Sequence, residues 1–219
     1  MSTISLTQPE YILLLGGTFD PIHLGHILPA KETATWLSAK QVSLIPAHIP
    51  PHKQKTHANA EQRAAMANLV CLSDNLFKLD KRELQRSKHS FTVDTLIELK
   101  AERPNAHLYF IMGMDSLLSF TKWQDWQKIL TLCHLVVNIR PGYCHQQLKT
   151  KINPALKPHL IENISQLRSQ AAGKIILHEC NAFDISSTQI RNDIHAGKSY
   201  AQFVTKQVHH YIEQQQLYR

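Results

Sequence analysis

The chain alternates short apolar runs with amphipathic stretches, and this rhythm restricts the folds open to it more than any single residue does. Tyr11 to Leu15 is apolar and closes on Gly16-Gly17, as a buried strand does where it stops abruptly. Pro21 then stands where a helix can begin, with Leu24, Ile27, Leu28 and Trp36 forming an apolar face beyond it. Gln41 to Ile45 predicts a second strand, ended by a proline-rich loop from Pro46 to Lys53, and Asn59 to Ser73 predicts a second helix. Phe77 to Leu79, His107 to Met112, His134 to Ile139 and Lys174 to His178 are further strand candidates. Ser90 can cap a helix from about Thr92 to Arg103, Ser187 one from Thr188 to Ala196, and a closing helix is read from about Thr205 to Gln216.

Strands alternating with helices at this spacing predict an α/β fold, a Rossmann-like doubly wound parallel sheet with helices on both faces. Ligands of such sheets bind beyond the carboxyl ends of the strands. The 219 residues fit a single domain, 1–219, in which residues 143–172, polar and read as helical, form an insertion. The first residues lack a basic n-region and no apolar run approaches a membrane span, so a cytoplasmic protein that does not enter a membrane is expected. Cys71, Cys133, Cys144 and Cys180 are too widely spaced for a metal or redox pair and read as reduced, mostly buried thiols.

The formal charge of +7 invites nucleic acid, an anionic membrane or small phosphorylated substrates. In the densest basic stretch, Asp80 to His89, acidic residues interrupt and no aromatic interleaves, which argues against nucleic acid. The chain has only 7 glycines, yet Gly16 and Gly17 sit side by side where a strand meets a helix. A helix N-terminus there offers unpaired N–H groups and a positive dipole end, which suits phosphate. His23 and His26, at i and i+3, share one face near that end. Neither the Walker loop nor the dinucleotide fingerprint is present, so histidines would stand in for the loop lysine. Zinc on the two histidines would need further ligands at recognisable spacing. Late in the chain, Ser186 or Ser187 capping a helix supplies a second anion-binding terminus, with Arg191 as a fixed multidentate cation.

Gly17-Thr18-Phe19-Asp20-Pro21-Ile22-His23-Leu24-Gly25-His26 resembles the H-x-G-H signature of the nucleotidylyltransferase superfamily, and Ile185-Ser186-Ser187-Thr188-Gln189-Ile190-Arg191 resembles its second signature, I-S-S-T-x-x-R. Pro50-Pro51-His52-Lys53, Ser90-Phe91-Thr92, Gly113-Met114-Asp115-Ser116, Trp123 and Arg140-Pro141-Gly142-Tyr143 narrow the resemblance to the nicotinate-mononucleotide adenylyltransferase family. That resemblance implies adenylyl transfer from ATP to nicotinate mononucleotide, with Mg²⁺ carried by ATP. It implies catalytic roles for His23, His26 and Arg191. It implies ATP contacts from Gly16, Gly17, Thr18, Phe19, Gly25, Gly113, Asp115, Ile185, Ser186, Ser187 and Thr188, and acceptor contacts from Asp20, Lys53, Ser90, Phe91, Thr92, Trp123 and Arg140. Phe91 stands where tyrosine is common, and Trp126 leaves open which indole stacks on the pyridine ring. Nicotinamide mononucleotide or pantetheine phosphate as acceptor, and nucleotide sensing without catalysis, are the alternatives; monomer and homo-oligomer both stay open.

Overall fold

A computed structural model describes residues 10–48, 56–86, 90–139, 150–181 and 185–219. Its centre is a seven-stranded sheet in which every described pairing is parallel. The strands are β1 (Tyr11–Gly17), β2 (Val42–Pro46), β3 (Phe77–Leu79), β4 (His107–Gly113), β5 (His134–Ile139), β6 (Leu160–Ile161) and β7 (Ile175–Glu179), in the spatial order β3-β2-β1-β4-β5-β7-β6. The chain builds outward from β1 to β3 and then returns to the other side of β1 to lay down β4. The order therefore reverses between β1 and β4, which is where a doubly wound sheet opens a crevice.

Parallel strands covered on both faces must be apolar on both, and the alternation of side chains sorts them into two layers. Leu13, Leu15, Tyr109, Ile111 and Val136 face α1 (Leu24–Leu37) and α2 (Ala60–Ser73), with Ile190 of α7 (Ser187–His195) and Val208 and Ile212 of α8 (Lys206–Gln214) in the same layer. Ile12, Leu14, Leu108, Phe110, Leu135 and Val137 face the opposite layer, which holds Val93, Leu96 and Leu99 of α3 (Thr92–Glu102) and Ile129 and Leu130 of α5 (Trp126–Leu132). Two short helices, α4 (Met114–Ser119) and α6 (Ser165–Arg168), also lie among the described residues.

Local chemistry sets the helix ends. Asn59 and Gln62 exchange side-chain and backbone hydrogen bonds at 2.8 and 2.9 Å, a capping box that starts α2. α7 ends in a Schellman turn on Gly197, whose φ of +66° suits glycine. α8 ends in the same turn with Gln216 in the left-handed place: Leu217 N–H bonds the Ile212 carbonyl and Gln216 N–H that of Glu213.

Three expectations are corrected. Ser90 does not cap α3; Phe91 holds the cap position without a side-chain bond, and buried Ser90 instead accepts the His48 N–H at 3.2 Å. Ser187 does not cap α7 but is its first residue, and the cap is Ser186, whose hydroxyl accepts from Gln189 N–H at 3.1 Å. The described part of the 143–172 insertion is not one helix. Pro154 and Pro158 break it into a 3₁₀ segment, Pro154–His159, after which Leu160–Ile161 pairs with β7. Of the expected elements, the Pro50 to Lys53 segment and Arg140 lie outside the described residues.

Candidate active site

The crevice at the reversal point is a cavity of about 700 Å³ at the carboxyl ends of β1, β4 and β5, between the N-termini of α1 and α7. That volume lies within the range of small-molecule sites. One part of its wall is polar, made by His23, His26, Ser186, Ser187 and Thr188, and another is apolar and aromatic, made by Phe110, Met112 and Trp123.

His23 is the N-cap of α1, and its backbone N–H donates to Nδ1 of His26 at 3.3 Å. That bond places the proton of a neutral His26 on Nε2, as a donor. The two rings stack with centroids 3.7 Å apart. A Cβ on Gly25 would stand 3.0 Å from the His23 ring and 3.3 Å from the Ile185 carbonyl, so the missing side chain makes room for the stack and for the approach of the second signature. Burial, and secondarily the His26 charge, push the His23 pKa down to about 2, so this ring is neutral in the free protein. Its Nδ1 is buried with no hydrogen-bond partner among the described residues, a polar atom to which a ligand at this helix terminus would give one.

The loop between β1 and α1 is held by its carbonyls. Gly17 O accepts from Ala47 N–H at 3.0 Å, and Thr18 O from the Arg63 guanidinium at 2.7 Å. Asp20 O accepts from Arg191 at 2.7 Å, and Pro21 O from the Ser187 hydroxyl at 3.0 Å. Four acceptors are thereby turned onto protein donors instead of facing an incoming anion. Arg63 is fully buried and also reaches the Ala47 and His48 carbonyls at 2.6 and 2.9 Å, tying the loop after β2 to the loop after β1. Burial lowers its pKa, against which the Asp20 carboxylate acts.

The cavity wall gathers Gly16, His23, Gly25, His26, Gly113, Asp115, Trp123 and Ile185 to Thr188 from the expected set. Other residues of the expected set also hold the loop through some of their atoms. Phe19, 1% exposed, lies under Gly17 and sets its edge to the His26 ring at 5.3 Å. Gly17 and Thr18 are tied through their carbonyls, and Asp20, 2% exposed, accepts from the backbone of His57 and Ala58 and from Tyr218. Arg191 donates to Asp20 O at 2.7 Å and to Thr188 Oγ1 at 3.3 Å, which ties the second signature to the loop after β1. Ser90, Phe91 and Thr92 are not among the wall residues, and Lys53 and Arg140 lie outside the described residues. Trp123, not Trp126, is at the wall; Trp126 packs on Phe120 at 6.1 Å.

Sequence reasoning missed Arg63, Tyr218, Asn138 and Lys151. The last two are wall residues, and Asn138 is within 2.9 Å of the buried Thr33 hydroxyl. A buried arginine on an apolar helix face was a legible signal; the other three carry none in one sequence. Cys180 also reaches the wall, where burial pushes its thiol up to about 11 and keeps it protonated near neutral pH.

A parallel sheet with two anion-receptive helix termini meeting at its reversal point defines a nucleotide-binding α/β protein. A family model described as cytidylyltransferase-like matches residues 14–193. The chain is 42% identical over 97% of its length to a protein of Psychromonas ingrahamii named probable nicotinate-nucleotide adenylyltransferase, covering 99% of that protein. Its fold is similar to the Plasmodium falciparum nicotinic acid mononucleotide adenylyltransferase, solved complexed with APC (TM-score 0.71, 17% identity, 95% and 97% of the two chains covered) and with NaAD (TM-score 0.70, 18% identity, the same coverage). The chain belongs to the cytidylyltransferase-like family. No helix among the described residues is long and apolar enough to cross a membrane.

Proposed function

We propose that the chain transfers the adenylyl group of ATP to nicotinate mononucleotide, releasing pyrophosphate and forming nicotinate adenine dinucleotide. The observation that carries this reading is the stacked His23–His26 pair at the α1 terminus, facing the second signature across one cavity. The acceptor's 5′-phosphate is largely ionised near neutral pH, so its oxygen attacks the α-phosphorus without a general base. The site's task is to hold the reactants in line and to offset charge as it moves onto the departing pyrophosphate.

His26 Nε2–H donates to a phosphate oxygen, and the α1 and α7 termini add their dipoles. His23 gains the partner that its buried Nδ1 lacks. Ser186, Ser187 and Thr188 close the nucleotide end, and Arg191 fixes the loop while contributing positive potential. Trp123 offers an indole face to the pyridine ring, and Lys53 and Arg140 offset the acceptor's phosphate charge.

Mg²⁺ enters as part of the Mg-ATP substrate. Asp115 is the one carboxylate among the described wall residues, which fits a cation that keeps most of its ligands from phosphate and water. When bound, the ion neutralises triphosphate charge. His26→Ala should lower turnover by ~10²-fold or more while circular dichroism and thermal melting stay near wild type. A folded His26→Ala variant with wild-type turnover would refute the assignment.

A further inference from the structure

We propose that Tyr218 is a positioning residue for this reaction, acting through Asp20 on the backbone that leads into His23. The inference rests on the adenylyl-transfer reading and adds to it a residue outside both signatures.

Asp20 lies three positions before His23 and is buried, so its carboxylate must be satisfied by the protein. Oδ2 accepts from His57 N–H at 2.9 Å, and Oδ1 accepts from Ala58 N–H at 3.0 Å and from the Tyr218 hydroxyl at 2.9 Å. The first two are main-chain donors that any sequence would supply; Tyr218 contributes a side chain chosen for its hydroxyl. Burial and the adjacent carboxylate raise the Tyr218 pKa well above the usual phenol range, so the group stays a donor throughout the working pH range.

The backbone that delivers this hydroxyl is costly. Gln216 and Tyr218 hold φ of +51° and +67°, left-handed positions that disfavour both residue types, while Leu217 between them is buried in the core. Asp20 is thus held at both ends, its carboxylate by Tyr218 and two main-chain N–H groups and its carbonyl by Arg191 at 2.7 Å, with Tyr218 the one side-chain donor to the carboxylate among the described residues. The segment so clamped carries the His23 N–H, whose bond to His26 Nδ1 selects the Nε2–H tautomer that donates to phosphate. Loss of the hydroxyl would loosen Asp20, let that bond lengthen and mix the His26 tautomers.

The test compares Tyr218→Phe with Leu217→Ala in the full chain. Tyr218→Phe keeps the ring and should lower kcat roughly 10-fold, with KM for nicotinate mononucleotide within about twofold, as expected when a lost hydrogen bond to a buried carboxylate disturbs the orientation of His26 rather than ground-state binding. Leu217→Ala removes packing but leaves the hydroxyl; it should lower Tm at least as much and keep kcat at 25 °C within about twofold. Nitrogen-15 spectra of the histidine rings should show one His26 tautomer in the wild type and exchange-averaged signals in Tyr218→Phe. Unchanged kcat and unchanged ring spectra in Tyr218→Phe, or activity that merely tracks Tm across both variants, would overturn the inference. A wild-type chain inactive in the same assay would count against the adenylyl-transfer reading, while the ring spectra still decide the role of Tyr218.

Discussion

Replacing Arg63 with leucine should be among the most damaging single changes outside the cavity wall. The guanidinium makes three hydrogen bonds, to Thr18 O, Ala47 O and His48 O at 2.7, 2.6 and 2.9 Å, from a side chain with no exposure. Hydrogen bonds to a charged group are worth about 1.5–3 kcal/mol each, so a plain sum gives roughly 4.5–9 kcal/mol. Two effects reduce it: the variant no longer desolvates a cation, and water can reach carbonyls that sit on loops. A buried cation replaced by well-packed apolar side chains can even gain stability, but only where its partners are replaced too, and these partners are main-chain oxygens. The expected loss is therefore about 3–5 kcal/mol. At ~2–4 °C per kcal/mol for a chain of this size, Tm should fall by roughly 6–20 °C. Urea and thermal unfolding followed by circular dichroism measure it, and kcat should fall at temperatures where the variant is still folded, because the loops after β1 and β2 lose their common tie. A stability within about 1 kcal/mol of wild type would refute the reasoning.

Two further outcomes follow from buried or strained positions. His134 has no exposure; its Nδ1 accepts from Lys174 N–H at 3.2 Å, which leaves Nε2–H to donate to the Gln170 carbonyl at 3.0 Å, and burial pushes its pKa down to about 4. The folded state thus binds this proton less readily than the unfolded chain, so the contribution is fully present above pH 6.5 and is lost as pH falls towards 4. This one group gives a slope of up to about 1.4 kcal/mol per pH unit, and His23 adds one of the same sign. Urea midpoints at pH 7.5 and 5.0 check it; equal or higher stability at the lower pH would contradict it. Gln216→Gly places the residue that a left-handed φ favours in the α8 Schellman turn and should raise stability by about 0.5–1 kcal/mol, whereas a lowered Tm would show that the glutamine side chain contributes more than its backbone costs.

Much of this molecule could be read without coordinates, for identifiable reasons. β5 runs over the predicted span, His134–Ile139, because a buried parallel strand is written as a largely apolar run between turns, and β3, Phe77–Leu79, is an edge strand whose span is marked by its two apolar ends around exposed Lys78. The helix starting after Asn59 and the one ending before Gly197 rest on equally local chemistry, a capping box and a left-handed turn. The insertion departs from the helical expectation because polarity alone does not distinguish a helix from a 3₁₀ turn, whereas Pro154 and Pro158 interrupt an α-helix. At the site, the motifs located the two helix termini but not the division of labour within them. H-x-G-H says nothing of which residues touch a ligand and which hold the loop. That division depends on partners far along the chain, Arg63 and Tyr218 for the first signature, Ser187 and Arg191 reaching back from the second. Such pairings arise from the fold and leave no spacing to read.

The most direct test of the central claim gives purified protein Mg-ATP with nicotinate mononucleotide, nicotinamide mononucleotide or pantetheine phosphate in separate reactions, and follows both pyrophosphate release and the adenylylated product. The cavity described here predicts pyrophosphate release matched by nicotinate adenine dinucleotide formation, with nicotinate mononucleotide the best acceptor by kcat/KM. Turnover confined to pantetheine phosphate, or none with any acceptor, would contradict it.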